Sequence, residues 1–99
     1  MRLHKNAQSI IHRTAAEIFG PEVNVYLFGS RTDDSAKGGD IDLLVQLDKP
    51  VNEKERKILK LVARLQIRLG DQPIDVLVQD PETVLQPVHN EALRTGIRL

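Results

Sequence analysis

Cysteine is absent from the 99-residue chain, and its absence removes disulfides, thiolate nucleophiles and cysteine metal sites together. Histidine is scarce: His4, His12 and His89 are too scattered along the chain to form a zinc site and read as ordinary side chains. Net charge is missing as well. With 14 basic and 14 acidic residues, the chain as a whole has no electrostatic reason to bind nucleic acid directly or to seek an anionic membrane, so any charge-driven function must come from local asymmetry. No apolar run approaches the roughly 18 residues that a membrane span requires, and the start, MRLHKNAQSIIHRT, lacks the apolar stretch of a signal peptide. The expectation is a soluble cytoplasmic protein, one domain spanning residues 1–99, whose chemistry uses oxygen ligands.

What the chain does have is ordered periodicity. From Leu3 to Phe19 the positions Ile10, Ile11, Thr14, Ala15 and Ile18 recur at helical spacing, and Gly20-Pro21 supplies a stop. Val23, Val25 and Leu27 then alternate with Asn24, Tyr26 and Phe28, which predicts a strand ending at Gly29. The segment DIDLLVQLD puts Ile41, Leu43, Val45 and Leu47 on one face of a second strand and Asp40, Asp42, Leu44 and Gln46 on the other. Asn52 is positioned to cap a long helix running to Leu69, with an apolar arc of Ile58, Leu61, Val62, Leu65 and Leu69 and Gly70 at its end. Its flank carries Lys57, Lys60, Arg64 and Arg68, read as a solvated basic face, while Leu59 and Ile67 are exposed apolar positions through which the chain could pair with itself or another chain. Pro73 to Val78 reads as a third strand, and the tail from Glu82 to Arg94 as helical in one or two pieces. The fold class that follows is α+β: a small mixed sheet with helices packed on one face, leaving the acids on the other.

Between the first two strands lies GSRTDDSAKGGDID, which crowds Asp33, Asp34, Asp40 and Asp42 among glycines. Like charges at such density repel unless a cation or a helix terminus compensates them. Asp40 and Asp42, two apart on one strand, project from one face at about 7 Å along the chain. If the third strand lies beside the second, Asp75 joins them. Hard carboxylate oxygens suit magnesium, which keeps several waters and takes phosphate oxygens, and two such ions could stabilise the attacking and leaving oxygens of a phosphoryl or nucleotidyl transfer. Gly29 allows close approach of backbone to a ligand, and Ser30-Arg31-Thr32-Asp33 matches the pattern that opens a helix, whose amides attract anions. A triphosphate fits there, with Arg31 or Lys37 assisting, and Asp33 and Asp34 are read as first-turn dipole partners.

FGSRTDDSAKGGDIDLLV resembles the signature of the polymerase β-like nucleotidyltransferase superfamily: a Gly-Ser pair, a loop, then Asp-x-Asp. The resemblance runs from Val23 to Val78, and at this length the chain is similar to the minimal nucleotidyltransferases, whose fold resembles the palm of polymerase β. It implies that Gly29 and Ser30 bind the nucleotide phosphates, that Asp40 and Asp42 hold magnesium, and that Asp75 also approaches the metal and activates the acceptor hydroxyl. It further implies a helical HEPN-family toxin as partner, with AMP moved from ATP to a tyrosine of that partner and the transferase acting as antitoxin. Two alternatives stand beside this reading: a non-catalytic antitoxin that neutralises its partner by complex formation, and a transferase acting on a small molecule. Tyr26 is expected to pack beside the site or against the core.

Overall fold

The computed structural model describes residues 5–29 and 40–99. In chain order the elements are α1 (Lys5–Phe19), β1 (Asn24–Phe28), β2 (Ile41–Gln46), α2 (Lys54–Leu69), β3 (Ile74–Gln79), α3 (Pro87–Thr95) and β4 (Ile97–Arg98). The strands form one sheet in the order β3-β2-β1-β4. β1 pairs antiparallel with β2, from Asn24 opposite Gln46 to Phe28 opposite Asp42. β2 and β3 run parallel, from Ile41 beside Ile74 to Gln46 beside Gln79, so their connection must cross the sheet, and α2 makes the crossing. The mixed α+β architecture is therefore the expected one.

Strand parity builds the core. Val23, Val25 and Leu27, then Ile41, Leu43 and Val45, then Ile74 and Val78, are all buried on one face. Ile11 and Ala15 of α1 and Leu61 and Leu65 of α2 close over them in one cluster. The two helices are also tied by polar contacts. Arg68 donates to the hydroxyl of buried Thr14 at 2.7 Å, and that hydroxyl donates to the Ile10 carbonyl at 2.6 Å. Arg64 and Arg68 both pair with Glu17.

Three expectations are corrected. First, the helices do not all share one face. Leu44 points away from the main core by strand parity, yet it is fully buried, as is Ala92 of α3, and α3 contacts β1 and β2. A Cβ on Gly96, directly after α3, would sit 3.2 Å from the Tyr26 Cβ and against the Ala92 carbonyl. α3 thus packs on the face opposite α1 and α2, over Leu44 and Tyr26. Second, the tail is helical from Pro87 to Thr95 and not from Glu82, and it continues into β4, where Ile97 pairs with Leu27. Third, Asn52 does not cap α2. The cap position is Glu53, in the left-handed region at φ 54, with no side-chain cap bond.

The start of α2 is instead anchored by Asp80, one residue past β3. Its carboxylate is fully buried and accepts the Val51 N–H at 2.7 Å, the Lys54 ammonium at 2.8 Å, the Glu82 N–H at 3.0 Å and the Thr83 hydroxyl at 3.0 Å. Burial alone would push this carboxyl up, but the hydrogen bonds from Lys54, Val51 and Thr83 and the Lys54 charge outweigh it and hold Asp80 well below the usual carboxylate range. Among the described residues no helix is long and apolar enough to cross a membrane.

Candidate active site

The parallel register that pairs Ile41 with Ile74 necessarily sets Asp42 beside Asp75, on strands about 4.8 Å apart. Both alternate with core residues, so both carboxylates leave the sheet on the face that α1 and α2 do not cover. Asp40, just before β2, shares the parity of Asp42 and is exposed, as is Asp75, whereas Asp42 is half-buried. Burial, then the charges of Asp75 and Asp40, push the Asp42 carboxyl up from its ordinary value of 3.8. Each cause disfavours a lone anion, and each is relieved by a bound cation.

Gly29 closes the site from β1. Its φ of 77 lies in the left-handed region, and a Cβ built there would meet the Asp42 carboxylate directly. The expected close approach of backbone to ligand is therefore also an approach to a carboxylate: a side chain at position 29 would displace Asp42. This contact had no sequence signal beyond the glycine itself, because the partner lies across the β1–β2 hairpin. Ser30, together with Arg31, Asp33, Asp34, Lys37, Gly38 and Gly39, lies outside the described residues, as does His4.

Among the described residues no group of three or more His, Cys, Asp or Glu side chains makes a ready-made metal cage. The donor set nonetheless suits magnesium, which needs only one or two protein carboxylates and completes its octahedron with water and substrate phosphate. Asp42 and Asp75 supply such a pair, with Asp40 close enough for its charge to act on Asp42. A cavity of about 400 Å³ lies elsewhere, lined by Phe19, Glu22, Asp48, Lys49 and Lys57 among others. Its acids and lysines offset one another, and the paired aspartates are not in its lining.

Polar residues away from the acids have structural roles. His89 is buried at the start of α3, where its Nδ1 accepts the Gln86 N–H at 3.1 Å in a reciprocal cap. Gln46 donates to Gln79 at 3.2 Å on the same sheet face as the acids, four positions further along the ladder that pairs Asp42 with Asp75 and beyond the Leu44–Leu77 pair.

The family model described as "Nucleotidyltransferase domain" matches residues 10–95. No curated protein matches the chain by sequence. Among solved structures, a mutant form of the MntA–HpeT toxin–antitoxin superposes with a TM-score of 0.67 at 22% identity, covering 98% of this chain and 72% of its own. A Shewanella oneidensis structure gives 0.66 at 15% identity, covering 97% and 71%. A tri-AMPylated Shewanella oneidensis HEPN toxin in complex with its MNT antitoxin gives 0.55 at 19% identity, covering 92% and 70%. At these identities the likeness is one of fold.

Proposed function

Because this chain belongs to the nucleotidyltransferase domain family, we propose that the Asp42–Asp75 face is where it transfers a nucleoside monophosphate from an NTP to a hydroxyl, and that the acceptor is a HEPN-family toxin. The reading takes residues 1–99 as one minimal transferase domain. The observation that carries it is the in-register pairing of Asp42 with Asp75 on the sheet face opposite α1 and α2, where Asp75 is exposed, with the Gly29 backbone against Asp42.

In this reading Asp40, Asp42 and Asp75 hold magnesium, which when bound neutralises the triphosphate and the charge that builds at the attacking and leaving oxygens. Gly29 and Ser30 bind and orient the phosphates through their backbone amides and the serine hydroxyl. The acceptor oxygen forms a bond to the α-phosphorus as the bond from that phosphorus to the bridging oxygen of the β-phosphate breaks, and pyrophosphate leaves. Asp75, the exposed member of the pair, takes the acceptor proton. ATP is the donor and AMP the transferred group, by analogy with the AMPylated toxin in the Shewanella oneidensis complex. The acids stand on a sheet face rather than in an enclosed cleft, and a protein acceptor lying across that face would exclude water from it.

The test is intact-mass analysis of the toxin partner after incubation with ATP, magnesium and this chain, with Asp75→Ala alongside. Gain of AMP on the partner with the wild type alone supports the transferase. An unmodified partner held in a stable complex by both proteins assigns neutralisation by occlusion.

A further inference from the structure

β3 closes one end of the sheet, and among the described residues no strand pairs with its outer edge. The direction of its free groups is fixed by bonds already made. The carbonyls of Pro73 and Gln79 accept from Ile41 and Leu47 of the β2 side. Parity then sends the N–H and C=O groups of Asp75 and Leu77 toward β2 and those of Ile74, Val76 and Val78 outward. The Val78 carbonyl has one further neighbour, the Thr83 hydroxyl at 3.5 Å, but that hydroxyl has a single proton and a closer acceptor in Asp80 at 3.0 Å.

An edge of this kind is a template for another strand unless it is short, bulged, or blocked by lysine or proline. β3 is six residues, IDVLVQ, with none of these devices; β4, at the other end of the sheet, has only two. The one charge on β3 is Asp75, and it decides the register. We propose that β3 pairs antiparallel with β3 of a second copy of this chain about a two-fold axis at Val76. Ile74 then faces Val78, Val76 faces itself, and each such pair exchanges both of its hydrogen bonds. On the core side these contacts are aliphatic throughout. On the open face Asp75 stands opposite Leu77 of the second copy. Sliding the axis one residue to Asp75 opposes the two carboxylates and shortens the ladder, and sliding it to Leu77 also shortens the ladder. The axis at Val76 is the register that keeps both the full ladder and the separation of like charges.

α2 gives a second, independent sign of the same neighbour. Arg68 points toward α1 through Glu17 and Thr14. Leu59 lies nine positions earlier, two and a half turns at 3.6 residues per turn, so it faces the opposite flank. α2 packs on β3 as well as on α1, and on the flank turned away from α1 Leu59 is 70% exposed. A two-fold at Val76 brings the same flank of the second α2 toward it. The consequence for function is local: Leu77 of the second copy becomes a neighbour of Asp75 and walls one side of the open face. The pairing does not depend on the proposed chemistry.

The chain has no cysteine, so crosslinking can be read without background. Cα atoms of a hydrogen-bonded antiparallel pair lie about 5.5 Å apart, within disulfide range. Val76→Cys should oxidise to a covalent dimer, and Ile67→Cys, on the outward face of α2, should not. Sedimentation of the unaltered protein at roughly 100 μM should give twice the 11.1 kDa chain mass, and the Val76 amide should exchange more slowly as protein concentration rises. A particle of 11.1 kDa at that concentration overturns the proposal. So does a dimer whose Val76 amide exchange is independent of concentration, or one that crosslinks through Ile67→Cys instead. Protection of Val76 only when another protein is bound would assign the edge to that protein and overturn it equally.

Discussion

At the first end of the β2–β3 pair, Asp42 and Asp75 stand side by side, and neither forms an ion pair among the described residues. One residue past the other end of the same pair, Asp80 is buried more deeply and yet is saturated, taking donors from the α2 start, the Lys54 ammonium and the turn that follows β3. Burial pushes both Asp42 and Asp80 up, but at Asp80 the hydrogen bonds reverse the effect, whereas at Asp42 the two neighbouring carboxylates add to it. Among the described residues, the fold surrounds Asp80 with donors and sets beside Asp42 only further carboxylates. Depth of burial alone would rank Asp80 as the acid raised further, and the neighbours of each carboxylate reverse that order.

The largest break in this comparison comes from Asp42→Asn. Transfer should fall on the order of 10³-fold, as expected for removing one preorganised electrostatic group, while thermal stability at neutral pH should rise. The sign follows from the raised folded value: the stability linked to Asp42 is complete below the ordinary value of 3.8 and is lost as pH rises through the folded value. Asparagine stays neutral and escapes that loss. Melting curves from pH 3 to pH 7 should therefore diverge toward neutrality, with the variant above the wild type; a variant that melts lower at pH 7 would show that Asp42 already has a partner in the fold.

Asp80→Ala should do the reverse. Removing the acceptor strands a half-buried ammonium, two backbone N–H groups and a hydroxyl, at a cost of about 3 kcal/mol, which is roughly 15 °C in Tm for a domain of this size. Activity per folded molecule should be unchanged. Here the folded value is depressed, so the stabilisation is present above 3.8 and lost as pH falls below it. Denaturant titrations of wild type and variant should accordingly converge in acid. Loss of activity beyond the loss of folded protein would mean that the two ends of the strand pair are coupled.

Gly29→Ala sits between the two cases. The left-handed backbone costs an alanine about 1 kcal/mol, which predicts a small drop in Tm. The new methyl group collides with the Asp42 carboxylate, and a displacement of this size should reduce transfer by roughly 10 to 100-fold. A kinetic effect no larger than the loss of folded protein would show that Asp42 accommodates the methyl group without leaving its working position.

Much of this arrangement is legible in the order of the amino acids alone. Spacing of two on a strand puts Asp40 and Asp42 on one face by parity, and alternation in IDVLVQ places Asp75 on the face opposite Ile74 and Val78. Their meeting depends only on β3 lying next to β2, which a helical crossover between parallel strands favours. The role of Asp80 is hidden because two of its donors, the Val51 N–H and the Lys54 ammonium, sit 29 and 26 positions earlier in the chain, at the other end of α2. The side of the sheet taken by α3 is hidden for a different reason: a nine-residue amphipathic helix offers an apolar stripe that either face can accept, and Leu44, the residue that decides, looks like one more aliphatic position in a strand. The cap at Asn52 fails because the side chain of a distant aspartate, not a neighbour, meets the start of α2.

The smallest effect belongs to the exposed charges between α1 and α2, and it sharpens what the Asp80 contrast means. Arg64 reaches Glu17 at 3.3 Å with both side chains more than a third exposed, so water screens the pair, and Arg64→Ala should change stability by no more than about 0.5 kcal/mol. Arg68 reaches the same glutamate at 3.0 Å and lowers its carboxyl through a hydrogen bond, but it also donates to the buried Thr14 hydroxyl. Arg68→Ala removes that donor, and the hydroxyl keeps only its own bond to Ile10. The expected loss is about 1 kcal/mol, with most of the difference between the two variants surviving in 1 M salt, where exposed pairs are screened over about 3 Å. Equal losses for the two arginines would place the whole effect in the Glu17 charge and remove the distinction between exposed and buried partners on which the reading of Asp80 rests.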